Sequence, residues 1–247
     1  MSKFFKNLRK TLIKDGELIR YFKYAFGEII LTILGIILAL QVHTWNQRRS
    51  DVNEIKGILG NLQDEFTQNK NNLTSTLHLI EESLTNAKFV IKLVGQPESD
   101  LRSYNLDSLL AVSLRYQQFS PSQDVISLIM ESGKLKLIED DAMKNALYSW
   151  ASNATILDDR FESLKNGSSQ FILYLTKHYS LKDFDYYTNE RLLGRSNLTT
   201  NKFAIFQDIV FENLLDNEIY YLHEYAKTLR ETSEIIDKIL KYSQKYE

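Results

Sequence analysis

Side chains able to do chemistry are thinly spread along this chain. Its four histidines, His43, His78, His178 and His223, never fall four residues apart, the spacing by which two imidazoles on one helix share a zinc ion. His178 falls on an apolar helical stripe, where a hydrogen-bonded core imidazole is a better reading than a ligand. The chain has no cysteine, which removes disulfides, thiolate metal sites, iron–sulfur ligation and cysteine nucleophiles together. No Gly-x-Ser-x-Gly, Walker glycine loop or Gly-x-Gly-x-x-Gly occurs. Carboxylates cluster at Glu139, Asp140 and Asp141, at Asp158 and Asp159, and beside tyrosines at Asp183, Asp185, Tyr186 and Tyr187. The first cluster opens a long helix, where negative charge favours the positive end of the dipole. The second lies beside an apolar stripe and is simply solvated. The third sits in the least patterned stretch, residues 182–201, which reads as a long connection able to carry a binding surface. It is the sole basis for an alternative reading, a membrane-surface hydrolase or transferase working through carboxylates and tyrosines. The expectation is a non-enzymatic protein with no cofactor and no metal.

The elements that would position these groups follow from how charge and apolarity are distributed. Over 247 residues the chain is 43% hydrophobic and 25% charged, with net charge −2, an ordinary globular composition that excludes disorder and fibrous repeats. The total conceals an asymmetry. The first 24 residues carry seven Lys and Arg against Asp15 and Glu17, net +5, so the remainder carries −7. An acidic remainder without clustered basic residues excludes nucleic acid as a partner.

From Tyr24 to Trp45 only Glu28 and His43 can ionise. A helix of 22 residues rises about 33 Å, enough for a hydrocarbon core of about 30 Å. Tyr24 and Trp45 fit the two interfacial aromatic belts. The long basic segment before the run, and the lack of a small-x-small site after it, favour a retained anchor over a cleaved signal peptide. The excess of Lys and Arg before the span places the N-terminus in the cytoplasm and residues 46–247 outside, which in a bacterium is the periplasm beyond the inner membrane. Phe4, Phe5, Leu8, Leu12 and Ile13 recur at helical spacing among basic residues, so residues 1–23 read as a basic amphipathic segment on the bilayer surface.

One face of the span is distinctive. Glu28, Thr32, Gly35 and Ala39 step by four, three and four onto one helical stripe. Gly35 and Ala39 allow another helix to approach closely, and Thr32 could bond across such a contact. Glu28 is the costly member unless it is paired, neutral or interfacial. This face is expected to associate with a second copy or with another membrane protein.

Beyond Trp45 the pattern becomes heptads. Val52, Ile55, Leu59, Leu62, Phe66, Asn69 and Leu73 step by threes and fours, and the series resumes at Leu77 and Ile80 after one extra step of four, resembling a stutter. Gly57 and Gly60 are the expected bends. Two further series run through Met143, Leu147, Trp150, Ala154, Leu157, Phe161, Leu164, Ser168, Phe171, Leu175 and His178, and through Ile219, Leu222, Ala226, Leu229, Ser233, Ile236, Leu240 and Ser243. These predict an all-α chain: a basic amphipathic helix and one transmembrane helix, then an extramembrane up-and-down bundle with long heptad helices. The segments 105–118, 122–131 and 201–215 complete it, with Asn105 and Ser122 as helix caps. No stretch alternates as a strand bounded by hairpin turns. Asn-x-Ser/Thr at Asn72, Asn153, Asn166 and Asn197 is what a chain rich in these residues contains by chance.

Two blocks resemble a known family. The segment KYAFGEIILTILGIILALQVHTWNQ is similar to the N-terminal signature of a domain-of-unknown-function family of single-span envelope proteins common in Bacteroidota, carried here by Glu28, Gly35, Gln41, Trp45 and Asn46. A second block, from Phe119-Ser-Pro121 to Trp150, resembles that family's Phe-x-Pro and Ser-Gly-x-Leu-x-Leu-Ile segment through Ser132, Gly133, Leu135, Leu137 and Ile138. The resemblance implies a retained anchor, a helical outer domain and no known activity. It makes an incidental Glu28 less attractive and supplies no catalytic residue. The physical reading of Ser132-Gly133 is topological: a glycine at positive φ ends one short helix before Glu139 starts the next.

Overall fold

Helix is the only regular structure that this sequence adopts among the residues described by the computed structural model, which are 17–187, 194–198 and 201–244; the side chains of residues 17–21 and 24 lie outside the description. The chain is all-α, with no strand among those residues. Helix α1 covers Glu17–Val90 and ends in a 3₁₀ turn, Ile91–Leu93. There follow α2 (Glu98–Leu101), α3 (Leu106–Ser113), α4 (Asp124–Glu131), a 3₁₀ turn (Lys134–Leu137), α5 (Asp141–His178), α6 (Leu181–Asp185), a 3₁₀ turn (Ala204–Gln207) and α7 (Ile209–Ser243). Helix α1 continues through Gly57 and Gly60. Two compact units result, Met1–Ile55 and Lys56–Glu247, so the boundary lies beyond Trp45. The expected basic helix of residues 1–23 falls mostly outside the described residues.

Among the described residues, unit 1 contains one helix, near the N-terminus, long and apolar enough to cross a membrane. An 18-residue stretch of it has mean hydropathy 2.2 and no buried residue. Every residue from 26 to 50 is exposed.

Unit 2 closes around α1, α5 and α7. Asn153 meets Thr232 and Ser168 meets Glu218, so α5 and α7 run antiparallel. Lys70 pairs with Asp237 and Glu81 with Arg230, so α1 and α7 are antiparallel too. The chain between α1 and α5 must therefore return along α1. It does so in short pieces: Tyr104 lies against Phe89, Arg115 near Glu82, and Ser122 and Val125 against Asn69 and Glu65. Gly95 at φ 79° and the two prolines interrupt helix on this leg, which is why it is not a fourth long helix. Asp140 caps α5 by accepting from the amides of Ala142 (2.8 Å) and Met143 (3.2 Å), and Asn105 caps α3 by accepting from Ser108 N.

The core seams differ from the expected heptads in a systematic way. On α1 the buried series runs Asn69, Leu73, Thr76, Ile80, Ser83, Ala87, Val90 without an extra step. Thr76 occupies the position assigned to Leu77, and the stutter disappears. On α5 Asn153 is buried and Ala154 half-buried, and His178 is exposed, its ring stacked on Tyr174 at 4.4 Å. On α7 Glu218, Thr232 and Ile239 are buried where Ile219, Ser233 and Leu240 were expected. Of the five substituted core positions, Thr76, Asn153, Glu218 and Thr232 are polar and Ile239 is not. Asn153 Nδ2 donates to Thr232 Oγ1 at 2.7 Å, and Ser83 and Thr232 donate to carbonyls one turn back. Internal satisfaction of this kind lets polar side chains enter a seam that hydrophobicity alone would not assign to them.

Candidate functional site

The face expected to mate in the span is open on every side within unit 1. Glu28, Thr32, Gly35 and Ala39 are exposed, and a methyl group built on Gly35 would meet nothing within 4 Å. Thr32 Oγ1 donates to the Glu28 carbonyl at 2.8 Å, which leaves the hydroxyl oxygen as an acceptor rather than a free donor. Trp45 is exposed with the Arg49 guanidinium 6.0 Å from its ring. Tyr24 lies in α1, and its side chain is outside the description.

The motif turn of unit 2 works as a clasp. Ser122, expected as a cap, instead donates through Oγ to Glu65 Oε2 at 2.9 Å, and Val125 N donates to the same oxygen at 3.0 Å. Asn69 grips the Ser122 backbone from both sides, accepting its N–H at 2.9 Å and donating to its carbonyl at 2.8 Å. Phe119 is buried and donates its N–H to Tyr225 Oη at 2.9 Å; burial pushes that phenol up to about 12. Pro121 sits half-buried between these anchors. Ser132 and Gly133 are exposed at the far end of α4, Gly133 at φ 68°, where it starts the following 3₁₀ turn. Leu135 and Leu137 are half-buried and Ile138 is buried.

A polar cleft of about 310 Å³ opens where α3, α6, residues 195–198 and Lys202 converge. Its floor is Asp107, 4% exposed, which accepts from Tyr179 Oη at 2.5 Å and lies 3.4 Å from Lys202 Nζ. Burial, reinforced by the Asp107 carboxylate, holds the Tyr179 phenol protonated far above its ordinary range. Tyr179 donates to Asp107 in this arrangement. Asp183 Oδ1 accepts from Ser196 N at 2.8 Å, tying the segment to α6. Arg195 lies over the rings of Tyr186 and Tyr187 at 5.2 and 5.7 Å and donates to Tyr187 Oη. The lining also includes Ser180, whose side chain caps α6, and Asn197, and with Arg195 and Lys202 it makes a polar surface suited to holding a polar ligand or a partner's side chains. Of the tyrosine and aspartate cluster noted in the sequence, Asp183 lines this cleft; Asp107, Tyr179 and Lys202 come from positions that nothing in the linear pattern connects. Among the described residues no group of three or more His, Asp or Glu converges on a point where a metal ion would sit.

Searches of protein-family models, of curated proteins and of solved structures find no match to this chain.

Proposed function

We propose that the chain is a non-enzymatic, single-pass protein of the bacterial inner membrane, a sensor-like or scaffold subunit with its N-terminus in the cytoplasm and unit 2 in the periplasm. The observation that carries this reading is the unbroken exposure of residues 26–50. Leu31, Leu38 and Leu40 are 72%, 61% and 59% exposed, and leaving such side chains in water forfeits about 1.5–3 kcal/mol each. Lipid supplies the missing environment. The N-terminal excess of Lys and Arg sets the direction. Unit 2 in this reading is an up-and-down, coiled-coil-like bundle whose return leg is broken, and the two motif blocks support the reading through their resemblance to the Bacteroidota envelope family.

Two surfaces serve interaction. Glu28, Thr32, Gly35 and Ala39 associate with a second copy or another membrane protein, and the Asp107–Tyr179–Lys202 cleft receives a polar partner or ligand. The hydrolase alternative has less support, because Asp183 and Asp107 both hold their own neighbours. A reporter active only in the periplasm, fused after Lys245, should be active; activity of a cytoplasmic reporter at the same position instead would overturn the orientation. Cysteines placed at Gly35 or Ala39 in native membranes should crosslink, and their failure to do so would remove the helix-association reading.

A further inference from the structure

Among the described residues, the α5–α7 seam contains a buried carboxyl group, Glu218, with no cation paired to it. Glu218 on α7 is 1% exposed, and Ser168, facing it from α5, is fully buried. Ser168 Oγ lies 2.8 Å from Glu218 Oε1 and 2.9 Å from Oε2. A hydroxyl has one proton, so an ionised Glu218 would receive one donor for two buried oxygens. A protonated Glu218 resolves this: its own O–H donates to Ser168 Oγ, and Ser168 donates to the other oxygen, a reciprocal pair with both groups engaged. The helices approach closely at this level, since a methyl group built on Gly167 would come within 2.6 Å of the Tyr221 ring.

Among the described residues, the charges on the neighbouring helices are engaged or exposed, and Lys92, in the 3₁₀ turn that packs on α7, is exposed. On α5, Lys165 bonds Glu162 at the surface. On α7, Glu212, Asp216 and His223 are exposed, and Glu224 lies 3.7 Å from Arg160. On α1, Glu81 and Glu82 face Arg230 and Arg115, and Lys88 is exposed. On α3, Asp107 is held by Tyr179 and Lys202.

We infer that Glu218 is a proton-binding site of unit 2, a carboxylic acid held neutral against Ser168 and ionised only at the cost of loosening the α5–α7 seam. Burial pushes the group up to about 7 from an ordinary 4.5, against a smaller opposing effect of the Ser168 hydroxyl. The sign follows. The folded unit binds one more proton than the unfolded chain between about pH 4.5 and 7, so this contribution to stability is complete below pH 4.5 and is lost as pH rises through about 7. A periplasm open to the outside pH would deliver such a change to the seam directly.

The test uses the full chain in detergent micelles. An infrared difference spectrum between wild type and Glu218→Gln at pH 5.5 should show a protonated-carboxyl C=O band that belongs to Glu218 and fades by about pH 8. The thermal transition of the wild type should fall by about 5 °C or more between pH 5 and 8 relative to that of Glu218→Gln. A neutral amide can donate to and accept from Ser168 as the acid does, so Glu218→Gln should fold at pH 8 at least as stably as wild type. Absence of the protonated band, the same pH dependence in both proteins, or failure of Glu218→Gln to fold would each overturn the inference.

Discussion

Residues 26–50 and the seams of unit 2 draw on the same aliphatic side chains and treat them oppositely. In the span, Leu34 and Ile36 are half or more exposed; in unit 2, Leu62, Ile80 and Leu222 are fully buried. The polar residues invert as well. In the span Thr32 bonds only its own helix, whereas in unit 2 Asn153, Ser168 and Asn69 reach residues 50 to 79 positions away. The exposed helix satisfies its polar side chains internally, whereas the packed seam satisfies some in that way, as at Ser83, and others from a second segment, as at Asn153. The contrast separates two sources of helix stability that sequence periodicity alone treats as one.

The strongest way to break this contrast is to put a charge in each place. Leu222→Asp buries an unpaired carboxylate at a fully enclosed position and should cost more than about 4 kcal/mol, enough to abolish a cooperative thermal transition of unit 2. Leu34→Asp should leave that transition in place and instead reduce membrane retention, by about 3 kcal/mol of insertion free energy at mid-span. Circular dichroism melts and carbonate extraction of membranes separate the two. Unfolding of unit 2 by Leu34→Asp would show that the exposed stretch packs on protein rather than lipid.

The aromatic comparison is next in size. Trp150 is 1% exposed and meets the Phe66 ring edge-on with centroids 4.7 Å apart. Trp150→Ala should destabilise unit 2 by about 3–5 kcal/mol in urea. Trp45, 63% exposed, should cost that transition nothing measurable when replaced by Ala. Its effect should appear in how deeply a fluorescent label at residue 47 sits in the bilayer.

The clasp yields a smaller effect and tests the polar half of the contrast. Asn69→Ala leaves the N–H and carbonyl of Ser122 without their side-chain partner and should cost about 2 kcal/mol in denaturant unfolding. Thr32→Ala removes a bond to its own helix carbonyl and should move the same transition by less than about 0.5 kcal/mol. If the two were equal, the long-range bonds of unit 2 would be worth no more than local ones.

These cases show which parts of the molecule were legible beforehand. Helix type, the apolar run and the cap at Asn105 follow from local spacing and composition, so they can be read along the line. The register of each seam cannot, wherever a polar residue takes a core position. Choosing Ile219 over Glu218 is what hydrophobicity recommends, and it fails because Ser168 waits across the seam, 50 residues earlier. Thr76 displaces Leu77 and Asn153 displaces Ala154 in the same manner. Ser122 looked like a cap because it precedes an apolar run, yet its hydroxyl is claimed by Glu65 on another helix. The cleft residues Asp107 and Tyr179 lie 72 positions apart, and only the return leg brings them together.

The smallest effect is also the one whose sign decides. Alanine is favoured over glycine inside a helix by about 1 kcal/mol, so Gly→Ala should stabilise any helix with free space at that position. At Gly35 a methyl group meets nothing within 4 Å, and Gly35→Ala should leave unit 2 unchanged within about 0.5 kcal/mol while weakening any crosslinking between spans. At Gly167 the methyl group would lie 2.6 and 2.8 Å from two ring carbons of Tyr221, so the ring or the helix carrying it must shift. Overpacking costs about 1–3 kcal/mol, which exceeds the helix gain, so Gly167→Ala should be destabilising overall. In a Tyr221→Ala background the obstruction is gone, and the same substitution should become stabilising by up to about 1 kcal/mol. Urea unfolding of the four proteins of this cycle measures the coupling. A Gly167→Ala effect of the same sign in both backgrounds would mean that α5 and α7 do not meet at Gly167 and Tyr221.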